Sequence, residues 1–153
     1  MKTKFILSAA AFGLFAMSGM AQTGVKSGSK YGHGADSVAC VQNLSLFGQY
    51  GKQGDFASAL APWTQAYENC PGSHVSIYQY GPKIVAWQIS QEKDPAKRDQ
   101  LLNKLMGVYD NRLKYFGNLK KYGKPYILGR KAIDYVTYVD SLKDPSKEVA
   151  YNW

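Results

Sequence analysis

The pattern of apolar and polar residues predicts helices over most of this chain. From residue 37 onward, large apolar side chains recur every three or four positions, which places them on one face of an α-helix. Pro82 predicts either a kink in the third helix or a later start for it. The predicted helices, divided by turn signals at Gly54-Asp55, Pro71-Gly72 and Asp94-Pro95, span about 37–52, 56–69, 74–92, 95–117 and 125–142, and a sixth follows Asp144-Pro145.

The first 36 residues follow a different pattern. Lys2 and Lys4 precede an apolar run, FILSAAAFGLFAM, and the small-x-small sequence Gly19-Met20-Ala21. This order is typical of a secretory signal peptide over residues 1–21, cleaved after Ala21. The apolar run of about 13 residues is too short to cross a bilayer, which needs roughly 20. Residues 22–36 are rich in Gly and predict a flexible linker, and we expect an exported protein of the bacterial periplasm or outer membrane.

One helix pair carries a more specific motif. Its residues are Leu46 and Tyr50 on the first helix, Gly54-Asp55-Phe56 at the turn, and Ala59, Trp63, Ala66 and Pro71 on the second. Residues 40–73 thereby resemble one tetratricopeptide repeat, a helix–turn–helix unit of 34 residues. Asn43 and Phe47 depart from the motif, because the family prefers Trp and Gly there.

The resemblance implies an all-α fold, a TPR-like α-solenoid built as an array of antiparallel helix–turn–helix pairs. Two similar pentapeptides, Lys93-Asp94-Pro95-Ala96-Lys97 and Lys143-Asp144-Pro145-Ser146-Lys147, stand 50 residues apart and favour a repeat, although Asp-Pro is also a common helix start. Such arrays end in a capping helix. The helical-repeat domain is therefore expected over residues 37–153 and beyond residue 153 in a longer protein.

The chain has two cysteines, Cys40 and Cys70. An even number of cysteines in an exported protein favours a disulfide. In a tetratricopeptide-like unit the start of the first helix lies beside the end of the second, and these are the positions of the two cysteines. The alternative is a pair of small buried thiols.

Positive charge is concentrated near the fifth helix. Removal of the signal peptide takes away two lysines and lowers the formal net charge from +8 to +6. Between Asp110 and Asp134 there is no acidic residue, but there are aromatic residues and seven cations: Arg112, Lys114, Lys120, Lys121, Lys124, Arg130 and Lys131. One interpretation is a basic patch that docks an acidic partner, an anionic glycan or a membrane surface. The other is a solvated helix end with its aromatics in the core. Outside the cytoplasm, nucleic acid is not an expected partner.

The sequence shows no pattern of residues for catalysis. Its two histidines, His33 and His74, have no metal-ligand spacing, and no nucleophile elbow or phosphate-binding loop is present. We therefore expect no enzyme activity, no metal and no cofactor. The remaining hypotheses are a scaffold that binds a protein or peptide partner in the envelope, and a module that binds an anionic polymer or membrane surface.

The resemblance also implies where a partner binds. In tetratricopeptide arrays the first helix of each pair lines the concave face. By that rule the partner-binding residues are Leu44, Tyr78, Tyr126 and Arg130, and the two tyrosines are expected to be exposed. The alternative is that these aromatic residues pack between repeats, and Pro82 makes this alternative strongest for Tyr78.

Overall fold

The computed structural model describes residues 28–139 as five helices. They are α1 (Gly34–Gln53), α2 (Phe56–Asn69), α3 (Ser76–Gln91), α4 (Pro95–Phe116) and α5 (Lys124–Val139). Over these residues the only β-type pairing is an isolated bridge between Ser29 and Gly32, which confirms the all-α prediction. The predicted signal peptide, the first part of the linker and the predicted sixth helix lie outside the described residues.

The helix ends follow the turn and cap signals in the sequence. Gly54 ends α1 with a φ of 76°, a left-handed conformation that favours glycine. The carboxylate of Asp55 caps α2 by accepting a hydrogen bond from the Ser58 N–H at 3.0 Å. Asp94 caps α4 in the same way and is followed by Pro95 in the first turn. Pro82, in contrast, lies inside α3, so the helix does not start there.

The centre of the core is the side chain of Trp63 on α2. It is fully buried, and its indole N–H donates a hydrogen bond to the Ile77 carbonyl of α3 at 2.8 Å. Gly81 lies against the indole, where an added Cβ atom would come within 2.9 Å of Trp63 and 3.0 Å of Val108. The absence of a side chain at residue 81 therefore lets α2, α3 and α4 share one core.

A disulfide joins Cys40 to Cys70, as predicted. Their Cα atoms are 6.2 Å apart, inside the range that a disulfide spans. The bond connects the first half of α1 to the residue that ends α2. The large buried side chain of α1 is Phe47, in the second half of the helix, and the disulfide is a covalent attachment of the first half in addition to its packing on α2.

The packing of the helices leaves one side of α4 open. Each helix packs against the next one along the chain, and α1 also packs against α3. No Cα atom of α5 lies within 8 Å of a Cα atom of α3, although both helices pack on α4. A groove therefore runs between α3 and α5, with α4 as its floor.

Candidate functional site

The groove between α3 and α5 has a volume of about 500 Å³. Its lining is aromatic and cationic, and none of the residues that form it is acidic: Tyr78, Gln79, Tyr80, Pro82, Lys83, Tyr109, Arg112, Tyr122, Tyr126 and Arg130. Three of the four residues predicted to bind a partner, Tyr78, Tyr126 and Arg130, meet here. We call this surface the α3–α5 groove.

Arg112 lies on the floor of the groove and is 5% exposed. Burial lowers the pKa of its guanidinium, because a low dielectric disfavours the charged form. Its Cζ atom lies over the Tyr126 ring, 5.4 Å from the ring centre, which is a cation–π contact. The Nε atom is buried and has no hydrogen-bond partner among the described residues. The fold therefore places a buried positive charge in the groove without a complete set of partners.

Arg130 and Tyr109 share a carboxylate at the edge of the groove. Arg130 donates a hydrogen bond to Asp134 at 3.2 Å, and the Tyr109 hydroxyl donates to the other oxygen of the same carboxylate. The charge of Asp134 raises the pKa of Arg130. Burial, followed by the hydrogen bond to Asp134, raises the pKa of Tyr109. The carboxylate of Asp134 is thereby occupied by two groove residues.

Tyr122 forms part of the rim at the end of the groove. It is the one described residue other than glycine with a positive φ, 62°. Its ring meets the Tyr126 ring edge to face, with centroids 5.0 Å apart, and is 49% exposed. Strained backbone of this kind is common at binding sites, where the surrounding structure holds a side chain in an otherwise unfavourable position.

The prediction that Tyr78 is exposed is wrong. The residue is fully buried, although it contributes to the groove lining. Its ring packs among Tyr67, Tyr115 and Phe116, at the ends of α2 and α4. The physical reason is the phase of α3: residue 78 faces the neighbouring helices, as the alternative interpretation held.

Leu44 lies apart from the groove. It is on α1, where its half-buried side chain packs against the hydrophobic core. The structure therefore does not bring Leu44 together with Tyr126 and Arg130. The groove also contains residues that were not predicted from the sequence, above all Tyr80 and Lys83. The Nζ atom of Lys83 is 5.8 Å from the centre of the Tyr80 ring. The spacing of Tyr80 and Lys83 on one helical face is a signal that could have found them.

The predicted basic patch is not a single surface. Four of its lysines, Lys114, Lys120, Lys121 and Lys124, are exposed around the turn between α4 and α5. Lys131 is buried, with its ammonium 2.7 Å from Asp110 on α4. Arg112 is buried in the groove. The expectation of one exposed patch is therefore wrong for Arg112 and Lys131. Lys131 lies at the contact between α5 and α4, and Arg112 lies in the groove.

Comparison of the chain with protein-family models, curated proteins and solved structures finds no match. Within residues 28–139, no three His, Cys, Asp or Glu side chains come together in a way that could hold a metal ion. None of the helices in this same range is long and apolar enough to span a membrane. The chemistry of the groove is therefore the observation from which a function can be inferred.

Proposed function

We propose that this protein is a non-catalytic binding module of the bacterial envelope that holds a partner protein or peptide in the α3–α5 groove. One observation carries the proposal: the fold gathers tyrosine and arginine side chains in an open groove. Tyrosine and arginine often dominate the energy of protein interfaces, because they combine large contact areas with hydrogen bonding. Tyr126 is 45% exposed, which leaves much of its surface available to a partner.

The proposed groove agrees with the TPR-like interpretation of the fold. In that interpretation α1, α3 and α5 are the first helices of successive pairs and line the concave face. Tyr126 and Arg130 on α5, and Lys83 on α3, then lie on the partner-binding side. The packing of α1 on α3 is consistent with this arrangement, whereas α3 and α5, the next two first helices, have no Cα atoms within 8 Å of each other.

Export to the periplasm or outer membrane is also part of the proposal. It rests on the signal-like sequence of residues 1–21, and the disulfide between Cys40 and Cys70 is consistent with an oxidising compartment. Mass spectrometry of the protein recovered from the envelope should give a first residue of Gln22. A chain that retains Met1 after export would contradict the proposed cleavage.

The binding proposal is tested with a Tyr126→Ala, Arg130→Ala double variant. A pull-down from envelope extract with the wild-type chain identifies the partner, whose dissociation constant is then measured with purified proteins. We expect the double variant to bind at least about tenfold more weakly and to keep its melting temperature, because both side chains are exposed.

The matched control changes two exposed residues on α5 outside the groove, Ile133→Ala and Lys124→Ala. This control should bind as the wild type does. Equal binding by the wild type and the Tyr126→Ala, Arg130→Ala variant would contradict the proposed site. So would a double variant that unfolds while its remaining folded fraction still binds.

A second candidate function is docking to an anionic glycan or membrane surface. The observation that favours it is the turn between α4 and α5, where exposed Tyr115, Leu119 and Tyr122 alternate with Lys114, Lys120, Lys121 and Lys124. Sedimentation with phosphatidylglycerol vesicles, compared with phosphatidylcholine vesicles, measures this binding. Binding to phosphatidylglycerol vesicles should weaken steeply as the salt concentration rises, and it should also be weaker for a Lys120→Gln, Lys121→Gln variant. Equal sedimentation with both vesicle types would exclude docking to an anionic membrane.

A further inference from the structure

We propose that the partner enters the α3–α5 groove with a carboxylate, and that this carboxylate pairs with Arg112. The inference rests on the proposed function and adds the chemistry of the ligand, an acidic peptide segment. It begins from the buried guanidinium on the floor of the groove, whose Nε atom has no hydrogen-bond partner in the part of the chain that the structure describes.

Two neighbouring cations of this region, buried Lys131 and exposed Arg130, each have a carboxylate partner, whereas Arg112 has none within residues 28–139. Lys131 is buried but has Asp110 at 2.7 Å, and Arg130 has Asp134 at 3.2 Å. Among the described residues, no carboxylate lies within 4.0 Å of Arg112 in this way, and none lines the groove. A buried charge without a partner is costly, and an anion that supplies the missing charge relieves that cost. Arg112 is one of the residues that line the groove, so the groove is the route by which such an anion would arrive.

The geometry favours a carboxylate as that anion. The Tyr126 ring lies on one side of the guanidinium, and we expect a ligand to meet an edge of the planar group. An edge presents parallel N–H donors, which match the two oxygens of a carboxylate.

The cations that lie over the aromatic rings of the groove favour a peptide over an acidic glycan. A sugar ring binds by stacking on an open aromatic face. In this groove a cation already covers one face of three tyrosines: Arg112 on Tyr126, Lys83 on Tyr80 and Lys121 on Tyr122. Their edges and hydroxyl groups remain for contact with a peptide, whose glutamate or aspartate reaches Arg112.

The test observes Arg112 directly in the full chain. The sequence contains only three arginines, Arg98, Arg112 and Arg130, so each Nε–Hε resonance is readily assigned in a ¹H–¹⁵N spectrum. Arg98 is an internal control, because its Nε atom already donates to the Glu92 carbonyl. The probes are acetylated tetraglutamate amide, acetylated tetraglutamine amide and acetylated tetraglutamine with a free carboxyl terminus.

We expect tetraglutamate amide to shift the Arg112 resonance to saturation and to leave the Arg98 resonance in place. Tetraglutamine amide should have no effect at the same concentration. A shift with the tetraglutamine acid as well would identify any carboxylate, including a chain terminus, as sufficient. An Arg112 resonance that none of the carboxylate probes moves overturns the inference.

Variants then measure the contribution of the guanidinium. Arg112→Lys keeps the charge but loses the planar edge, and should weaken tetraglutamate binding at least about tenfold. Lys114→Gln, on the same helix but outside the groove, removes one exposed charge and should bind within about twofold of wild type. If the Arg112→Lys variant is unstable, tetraglutamate binding is measured with Lys83→Gln, on the α3 wall of the groove, instead. We expect this variant to lose less affinity than Arg112→Lys.

Two outcomes separate this inference from the proposed function. A partner whose binding needs Tyr126 and Arg130 but is unchanged in Arg112→Lys overturns the inference and leaves the binding module intact. Failure of every groove variant to affect the partner overturns the proposed function itself. Tighter binding of oligoglucuronate than of tetraglutamate overturns the choice of a peptide in favour of an acidic glycan.

Discussion

Removal of the disulfide should loosen α1 before the rest of the helical core. The perturbation is the double variant Cys40→Ala, Cys70→Ala, or reduction of the wild-type chain. The bond closes a loop with a sequence separation of 30, and the chain-entropy model gives a stabilisation of about 3–4 kcal/mol for a loop of that length. For a domain of this size, this loss corresponds to a melting temperature lower by roughly 15 °C.

The position of the bond predicts where the effect appears. The first half of α1 is attached through Cys40, whereas its second half is held by Phe47 and by Gly51, which lies against the Tyr80 ring. Reduction should therefore increase hydrogen exchange of amides 34–43 more than that of amides in α3 or α4.

The assay is thermal unfolding with and without reductant, followed by circular dichroism at 222 nm. The double alanine variant is the control: its melting temperature should be low and should not respond to reductant. Two free thiols titrated in the unreduced, denatured wild type would refute the pairing. A wild-type melting temperature that changes by less than about 3 °C on reduction would refute the predicted magnitude.

Two further predictions concern the core. Gly81→Ala places a Cβ atom 2.9 Å from Trp63 and 3.0 Å from Val108, and should lower the free energy of unfolding in urea by about 1–3 kcal/mol. The matched Gly107→Ala, whose new Cβ has no atom within 4 Å apart from the adjacent backbone of α4 and its chain neighbours, should raise the free energy of unfolding by about 0.5–1 kcal/mol. Burial raises the pKa of Tyr78, so the stability that its neutral form contributes is present below the unfolded-state pKa of about 10 and is lost as pH rises above it. Because the buried hydroxyl has no hydrogen-bond partner within residues 28–139, Tyr78→Phe should be at least as stable as wild type at pH 7 and should lose less stability between pH 9 and 11. A variant less stable by more than about 1 kcal/mol at pH 7 would show that the hydroxyl is satisfied.

The helices could be predicted from the sequence because their signals are local. The Gly54-Asp55 turn, the Asp94-Pro95 start and the recurrence of apolar residues act over a few positions, and the structure reproduces them. The disulfide was predictable for a related reason: one helix–turn–helix unit is short enough that its two ends must lie close together.

Burial in the site could not be predicted in the same way. Tyr78 is buried because of the phase of α3 against the ends of α2 and α4, and Pro82 made that phase ambiguous in the sequence. The pairing of Lys131 with Asp110 joins residues 21 positions apart and requires the packing of α5 on α4. Such pairings depend on tertiary geometry, which spacing along the chain does not contain.

The helical period explains why Arg112 has no acidic partner among the described residues, although acids stand near it in the sequence. Asp110 precedes Arg112 by two positions, and residues two apart do not face each other on a helix. Asp110 therefore meets Lys131 of α5, while Arg112 faces the groove. The other nearby acid, Asp134, follows Arg130 by four positions on α5, the spacing at which side chains do meet, and it also accepts from Tyr109. Both acids that flank the cation-rich segment are thus occupied by other described residues, and for this reason we propose that a bound partner supplies the carboxylate for Arg112.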